Sequence, residues 1–290
     1  MVKVLHPGLQ TSIQDFGRYG YTHLGVPISG VMDRTAASFA NALLGNPVIA
    51  PVMEITMNGP KLQFFSKTVI CISGAKLCPM LNGKPMQNHK PITIAMGDIL
   101  SFGVLSKGFR AYMAVAGGFK TEKQLSSYSM YKGITQRFVV AKGDTLHVSE
   151  LLKDAKTQFV NLKNNTVYYD TDLLHVLPGP EFDTLSAEEK EILFDTRFSI
   201  TADSNRMAYQ LHEKLENKLG QLITSVVQPG TVQLTPAGKL IILMRDCQTT
   251  GGYPRILQLT ERAMDCISQK FAGATVRFAL KSNLNVLDII

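Results

Sequence analysis

Two stretches of this chain concentrate side chains able to donate, accept and carry charge. In residues 11–41 (TSIQDFGRYGYTHLGVPISGVMDRTAASFAN), Gln14, Asp15, Arg18, His23, Ser29, Asp33 and Arg34 are set among Gly17, Gly20, Gly25, Gly30 and Pro27. Such a backbone must turn repeatedly through conformations that glycine adopts most readily. A loop carrying this mixture of donors and charges is what a loop-built recognition site requires. The plainer alternative for Asp15, Arg18, Asp33 and Arg34 is an ion-pair network that only holds the loop. In residues 245–255 (RDCQTTGGYPR), a strand expected at 240–244 delivers Asp246, Gln248, Thr249 and Thr250 to its end, and Gly251 and Gly252 then turn the chain. Polar side chains and backbone N–H groups at a strand terminus make either a nest for an anion or amide, or an ordinary turn closed by local hydrogen bonds.

The elements that must position these residues are short. The pattern predicts a helix over 32–44, with Ser29 as N-cap, Asp33 in its first turn, and Gly45 and Pro47 ending it. Strands at 52–57 and 61–65 flank Asn58-Gly59-Pro60 and read as a hairpin. Glu54 within it either faces solvent or is buried against Arg18 or Arg34. A strand at 68–73 is expected to turn at Gly74, and Asn82-Gly83 is the dipeptide that most favours a type I′ hairpin. Further strands are expected at 110–116, 138–147, 173–177, 222–227, 230–234 and 275–280, with capped or amphipathic helices at 186–195 and 263–270. Residues 121–135 read as a mobile loop or flap, and the polar run 151–169 as an inter-domain connection. The organisation expected is two domains, 1–165 and 166–290. Short strands with Gly, Pro and Asn punctuation imply a mainly β fold, barrel or sandwich, with few helices, and argue against βαβ nucleotide-binding architecture.

Composition narrows the function classes. At 290 residues and 45% hydrophobic content the chain can bury a large core. Its net charge of +7 permits an anionic ligand but is spread along the sequence without a Lys/Arg run, which argues against a nucleic-acid binder. The cysteines Cys71, Cys78, Cys247 and Cys266 lack C-x-x-C spacing and read as reduced thiols. No window approaches the roughly 18–20 apolar residues that span a bilayer, so the expectation is a cytoplasmic protein without membrane contact. The six histidines are isolated, no metal site is indicated, and the P-loop, nucleophile-elbow and zinc-protease signatures are all missing.

The long motifs TSIQDFGRYGYTHLGVPISGVMDRTAASFANALLGN, RAYMAVAGGF, VLPGPE, SNRMAYQL and QTTGGYP, in this order over nearly the whole chain, resemble the allophanate hydrolase subunit 2 family. These are biotin-dependent carboxyltransferase relatives that include the C subunit of bacterial 5-oxoprolinase and the antagonist of a sporulation kinase inhibitor. The resemblance implies two cyclophilin-like β-barrel domains and a subunit 1-like (5-oxoprolinase B-like) partner. It further implies either ATP-dependent opening of the 5-oxoproline lactam to glutamate, with a third, 5-oxoprolinase A-like protein, or carboxyl transfer from biotin. No A-M-K-M segment is present, so biotin would arrive on another protein, and ATP is expected on a partner protein.

Both chemistries grip an amide or ureido carbonyl and stabilise its developing oxyanion. On that logic the candidate catalytic residues are Asp15, Arg18, Asp33 and Gln248. The candidate substrate-binding residues are Gln14, His23, Ser29, Arg34, Arg206, Thr249, Thr250, Gly251, Gly252 and Tyr253. Relatives usually carry Arg at Cys247, Gly at Ala208, and an LGSRST-like loop where this chain has LSSYSM at 125–130. These departures keep open a second function, that of a non-catalytic protein binding a kinase inhibitor through an exposed β surface.

Overall fold

The computed structural model describes residues 1–149 and 167–281. Most of the polar run expected to connect two domains therefore lies outside the described residues. The chain divides into two compact units, Met1–Arg18 with Ser29–Thr166, and Tyr19–Ile28 with Val167–Ile290.

The first unit contains β1 (Val2–His6), β2 (Gln10–Gln14), α1 (Arg34–Leu43), β3 (Val52–Thr56), β4 (Lys61–Phe64), β5 (Thr68–Lys76), β6 (Pro79–Leu81), β7 (Lys84–Pro85), β8 (Ile92–Ile94), β9 (Ile99–Phe102), β10 (Lys107–Val115) and β11 (Thr145–Leu146). They form two sheets, ordered β11-β1-β4-β9-β6-β7 and β2-β3-β10-β5-β8. Ile13, Met53, Ile55, Ile70, Ile72 and Met113 of the second sheet meet Val2, Val4, Leu62, Phe64 and Leu100 of the first in one core. The opposite face of the second sheet, with Val52, Val69, Cys71, Tyr112 and Ala114, is covered by Ala36, Ala37, Ala40 and Leu43 of α1. Burial on both faces explains why β3, β5 and β10 are near-continuous apolar runs rather than alternating ones.

Several expectations are corrected here. β3 and β4 belong to different sheets, so Asn58-Gly59-Pro60 hands the chain from one to the other instead of closing a hairpin. Gly74 does not end its strand. It lies inside β5 where the register with β10 shifts, and a Cβ there would sit 2.5 Å from the Arg110 carbonyl. The strand expected over 138–147 is reduced to β11. Asn82 (φ 50°) and Gly83 (φ 77°) do join β6 to β7 through the left-handed pair of a type I′ turn.

The second unit contains β12 (Leu173–Pro178), α2 (Ala187–Asp195), β13 (Phe198–Ser199), β14 (Ala208–Lys214), β15 (Ser225–Val226), β16 (Thr231–Leu234), β17 (Lys239–Leu243), β18 (Thr250–Gly251), β19 (Arg255–Leu259), α3 (Glu261–Ser268) and β20 (Thr275–Leu280). The main sheet runs β13-β20-β12-β19-β16-β17-β14, and a bridge between Ile200 and Leu211 ties its two edges into a nearly closed barrel. β15 and β18 form a separate two-stranded strap. Ser186 caps α2 through a reciprocal box with Glu189, and Thr260 caps α3. The fold is mainly β and barrel-like, the class expected from the short punctuated strands. Among the described residues no helix is long and apolar enough to cross a membrane.

Candidate functional site

In the first unit, Asp15 follows β2 and is 8% exposed. Its Oδ1 accepts from Gly17 N–H (2.8 Å), Ser127 Oγ (2.6 Å) and Ser129 Oγ (2.7 Å), and its Oδ2 from Tyr128 N–H (2.7 Å). Beside it the fully buried Arg18 guanidinium donates to the Ser129 carbonyl, and the Gln14 carboxamide donates to Ser12 Oγ and the Met130 carbonyl. Segment 127–130, expected to be a mobile flap, is thus fastened to the loop after β2. Four charge-assisted bonds on one carboxylate describe an anchor.

Asp33 is fully buried and caps α1, its Oδ1 accepting from Ala36 N–H at 2.8 Å. Ser29, the residue expected in that role, instead lies buried before the helix with φ 57°. Asp33 N–H donates to Tyr112 Oη at 2.9 Å. Glu54 is also buried. It accepts from Met32 N–H at 2.8 Å and sits 3.9 Å from Arg110 Nε, which makes Arg110 a partner that the sequence reading did not name. Burial, reinforced by the carboxylates of Glu54 and Asp33, pushes the Tyr112 phenol well above its ordinary range. The sequence reading missed Arg110 and Tyr112. The one signal for them is register, since Tyr112 lies directly opposite Glu54 on neighbouring strands. Arg34 is half-buried over the Phe16 ring at 5.3 Å.

In the second unit, each charged residue of 245–255 is locked in place. Arg206 grips Asp246 with two hydrogen bonds, Arg245 grips Glu261 at 3.1 and 2.6 Å, and Arg255 grips Glu181 at 3.0 and 2.8 Å. Such two-pronged pairs fix orientation as well as charge. Between them, Cys247 is packed with Val227 and Leu243, and burial pushes its thiol up to about 12. Gln248, Thr249 and Tyr253 are half-buried and Thr250 is exposed; among the described residues their side chains make no hydrogen bond. Gly251 lies in the strap and Gly252 just after it, its carbonyl accepting from Leu222 N–H at 2.8 Å. His23 is exposed on a single 3-10 turn, Thr22–Leu24. The structure therefore gathers Gln14, Asp15, Arg18 and the serines of 127–129 within the first unit, and Arg206 with 245–253 within the second.

Arg206, Arg245 and Arg255, the arginines of this segment, each hold a carboxylate rather than standing open to a phosphate. No cluster of metal-binding side chains occurs among the described residues.

Comparison with known proteins gives the relationship. Over 281 residues the chain is 29% identical to the C subunit of 5-oxoprolinase from Haemophilus influenzae, covering 96% of this chain and 90% of that protein. The solved structure of TTHA0988 superposes with a TM-score of 0.84 at 27% identity, and Kluyveromyces lactis urea carboxylase with 0.85 at 29%. The chain spans only 55% of the former and 27% of the latter. Residues 24–280 match the carboxyltransferase domain, subdomain A and B. By that match over most of its length, set on this barrel-like framework, the chain belongs to the carboxyltransferase domain family.

Proposed function

We propose that the chain is one subunit of a multi-component, ATP-dependent 5-oxoprolinase that opens the 5-oxoproline lactam to glutamate, working with a subunit 1-like partner and a third, 5-oxoprolinase A-like protein. The observation that supports this reading is the nearly end-to-end likeness to the 5-oxoprolinase C subunit. ATP is assigned to a partner, because the arginines here are engaged.

Opening a lactam requires a gripped carbonyl and donors aimed at the oxyanion that develops on it. Gln248, with its carboxamide unengaged among the described residues, takes the lactam group. Thr249, Thr250 and the N–H groups around Gly251 and Gly252 surround the oxyanion, and Arg206 positions this segment through Asp246. Asp15, Arg18 and Asp33 hold loops in shape rather than reacting, since their polar atoms serve buried contacts.

The test is copurification with the subunit 1-like protein, followed by ATP-dependent 5-oxoproline turnover with and without this chain. Gln248→Ala should lower turnover about 100-fold, the scale for losing one oxyanion-type donor. An assembled complex that turns over equally well with Gln248→Ala overturns the assignment. A second reading, transfer of a carboxyl group from biotin carried by another protein to a ureido nitrogen, is favoured by the likeness to urea carboxylase. It predicts bicarbonate-dependent product instead.

A further inference from the structure

The first unit holds a cavity of about 280 Å³ between the segment after β10 and β11, which the reaction proposed above does not use. Phe119 and Val148 bridge and point into the core, so the adjoining pair, Lys120 and His147, stands on the opposite face. Lys120 N–H donates to the His147 carbonyl at 2.8 Å, and both side chains are exposed at the cavity. Among the described residues neither side chain has an ion-pair or hydrogen-bond partner.

Glu122 also lines the cavity, with Oε1 accepting from Gln124 Nε2 and Oε2 from Gln136 N–H, both at 2.8 Å. These bonds hold its carboxyl below the usual range, so it is charged at neutral pH. A further wall carries Arg137 and Asp144, which largely cancel each other across 3.2 Å. Thr121 also lines the cavity, and Met130 and Leu146 supply an apolar floor.

A lining with an uncommitted cation, an ionised carboxylate and almost no net charge suits a ligand carrying both signs. The volume falls just below the roughly 300–1,000 Å³ usual for ligand sites, which suits a small ligand. We propose that this cavity binds a free α-amino acid, with its carboxylate on Lys120 and His147, its ammonium on Glu122 and its side chain over Met130 and Leu146.

The test is calorimetric titration of the whole chain with L-alanine, L-methionine and L-glutamine, beside propionate, which lacks the ammonium, and propylamine, which lacks the carboxylate. At least one amino acid should bind saturably, and about tenfold more tightly than either one-charge analogue. Lys120→Ala should weaken that amino acid about tenfold, whereas Glu122→Gln should bring it down to the affinity of propionate while leaving propionate unchanged. Propionate binding thus reports that the Glu122→Gln protein is folded. No saturation by any of the three amino acids up to about 20 mM, or affinities that both variants leave unaltered, would overturn the proposal.

Discussion

Arg206 and Asp246 are joined by three hydrogen bonds: Nε to Oδ2 at 2.8 Å, Nη2 to Oδ1 at 3.1 Å, and the Asp246 N–H to the Arg206 carbonyl at 2.9 Å. The pair staples the chain entering β14 to the chain leaving β17, and so fixes where Gln248 begins. Asp246→Ala leaves a guanidinium that is 8% exposed without its carboxylate. The expected cost is about 3 kcal/mol, the scale for breaking a buried pair by removing one partner. Adding Arg206→Met should recover part of that loss. Denaturant unfolding of the single and double variants measures both, and a single-variant loss below ~1 kcal/mol would show that the staple does not hold the segment.

A second staple is sensitive to acid. Glu181 accepts the Arg255 N–H at 2.8 Å as well as its guanidinium, and the guanidinium bonds hold the Glu181 carboxyl below the usual range. Because the folded pKa is the lower one, the unfolded chain takes up the proton first as pH falls. The stabilisation is therefore complete above the unfolded value of about 4.3 and lost as pH drops toward the folded value. Glu181→Gln should cost about 1–3 kcal/mol at pH 7 and show a shallower decline than the parent from about pH 5 downward. Parallel acid-side profiles for the two proteins would contradict this.

The turn at Leu125 and Ser126 is strained. Gln124 and Ser127 exchange backbone hydrogen bonds at 2.9 and 3.1 Å, with Leu125 at φ 50° and Ser126 at φ 63° between them. This left-handed pair is what a type I′ turn demands, yet neither residue is Gly, Asn or Asp, and each costs about 1 kcal/mol there. Ser126→Gly should therefore raise unfolding stability by about 1 kcal/mol, and Leu125→Asn should act in the same direction. A thermal melt that falls with Ser126→Gly would mean that the serine side chain, and not the backbone, governs this turn.

The thiols divide by burial. Cys78 is exposed, Cys266 is buried, and burial raises Cys71 and Cys247 to about 12. The thiolate is the reactive form, so a disulfide reagent at about pH 8 should titrate one thiol in the folded chain. All four should react in denaturant. Cys78→Ser should abolish the native reaction, and rapid modification of Cys247 would show the 245–255 segment opening in solution.

Local patterns carried what was legible in the sequence. The capped helix at 186–195, the Asn82-Gly83 turn and the strand at 275–280 are each decided within a few residues, and each forms as the pattern predicts. Outcomes set by distant pairing were not legible. Asn58-Gly59-Pro60 has hairpin chemistry, yet β3 finds its partners in β2 and β10. Gly74 has turn chemistry, but it is glycine because the Arg110 backbone approaches it. The same limit applied to the site. Asp15 stood out as a reactive type in a glycine-rich loop, but its partners Ser127 and Ser129 lie 112 and 114 residues away and leave it an anchor.

Gln233 and Gly251 illustrate a contact of this kind that mutation can isolate. A Cβ on Gly251 would lie 2.6 Å from Gln233 Nε2, an amide in a residue only 2% exposed with no acceptor for that nitrogen among the described residues. The β15 and β18 strap, which carries Thr250 and Gly251, therefore seats on this amide only because position 251 has no side chain. Gly251→Ala should cost about 1–3 kcal/mol by overpacking and should shift the strap that presents Gln248. The obstacle is the end of a side chain, so shortening it in the Gln233→Ala, Gly251→Ala double variant should restore most of the stability. Gly30 supplies the contrast: its Cβ would meet the Phe16 carbonyl carbon at 2.8 Å and the Asp15 carbonyl oxygen at 3.0 Å, with φ at +97°. Gly30→Ala should yield little folded protein, and no side-chain truncation should rescue it, because the clash is with backbone. A Gly251→Ala protein as stable as the parent would show that Gln233 swings aside freely, and a double variant no better than the single would place the cost elsewhere.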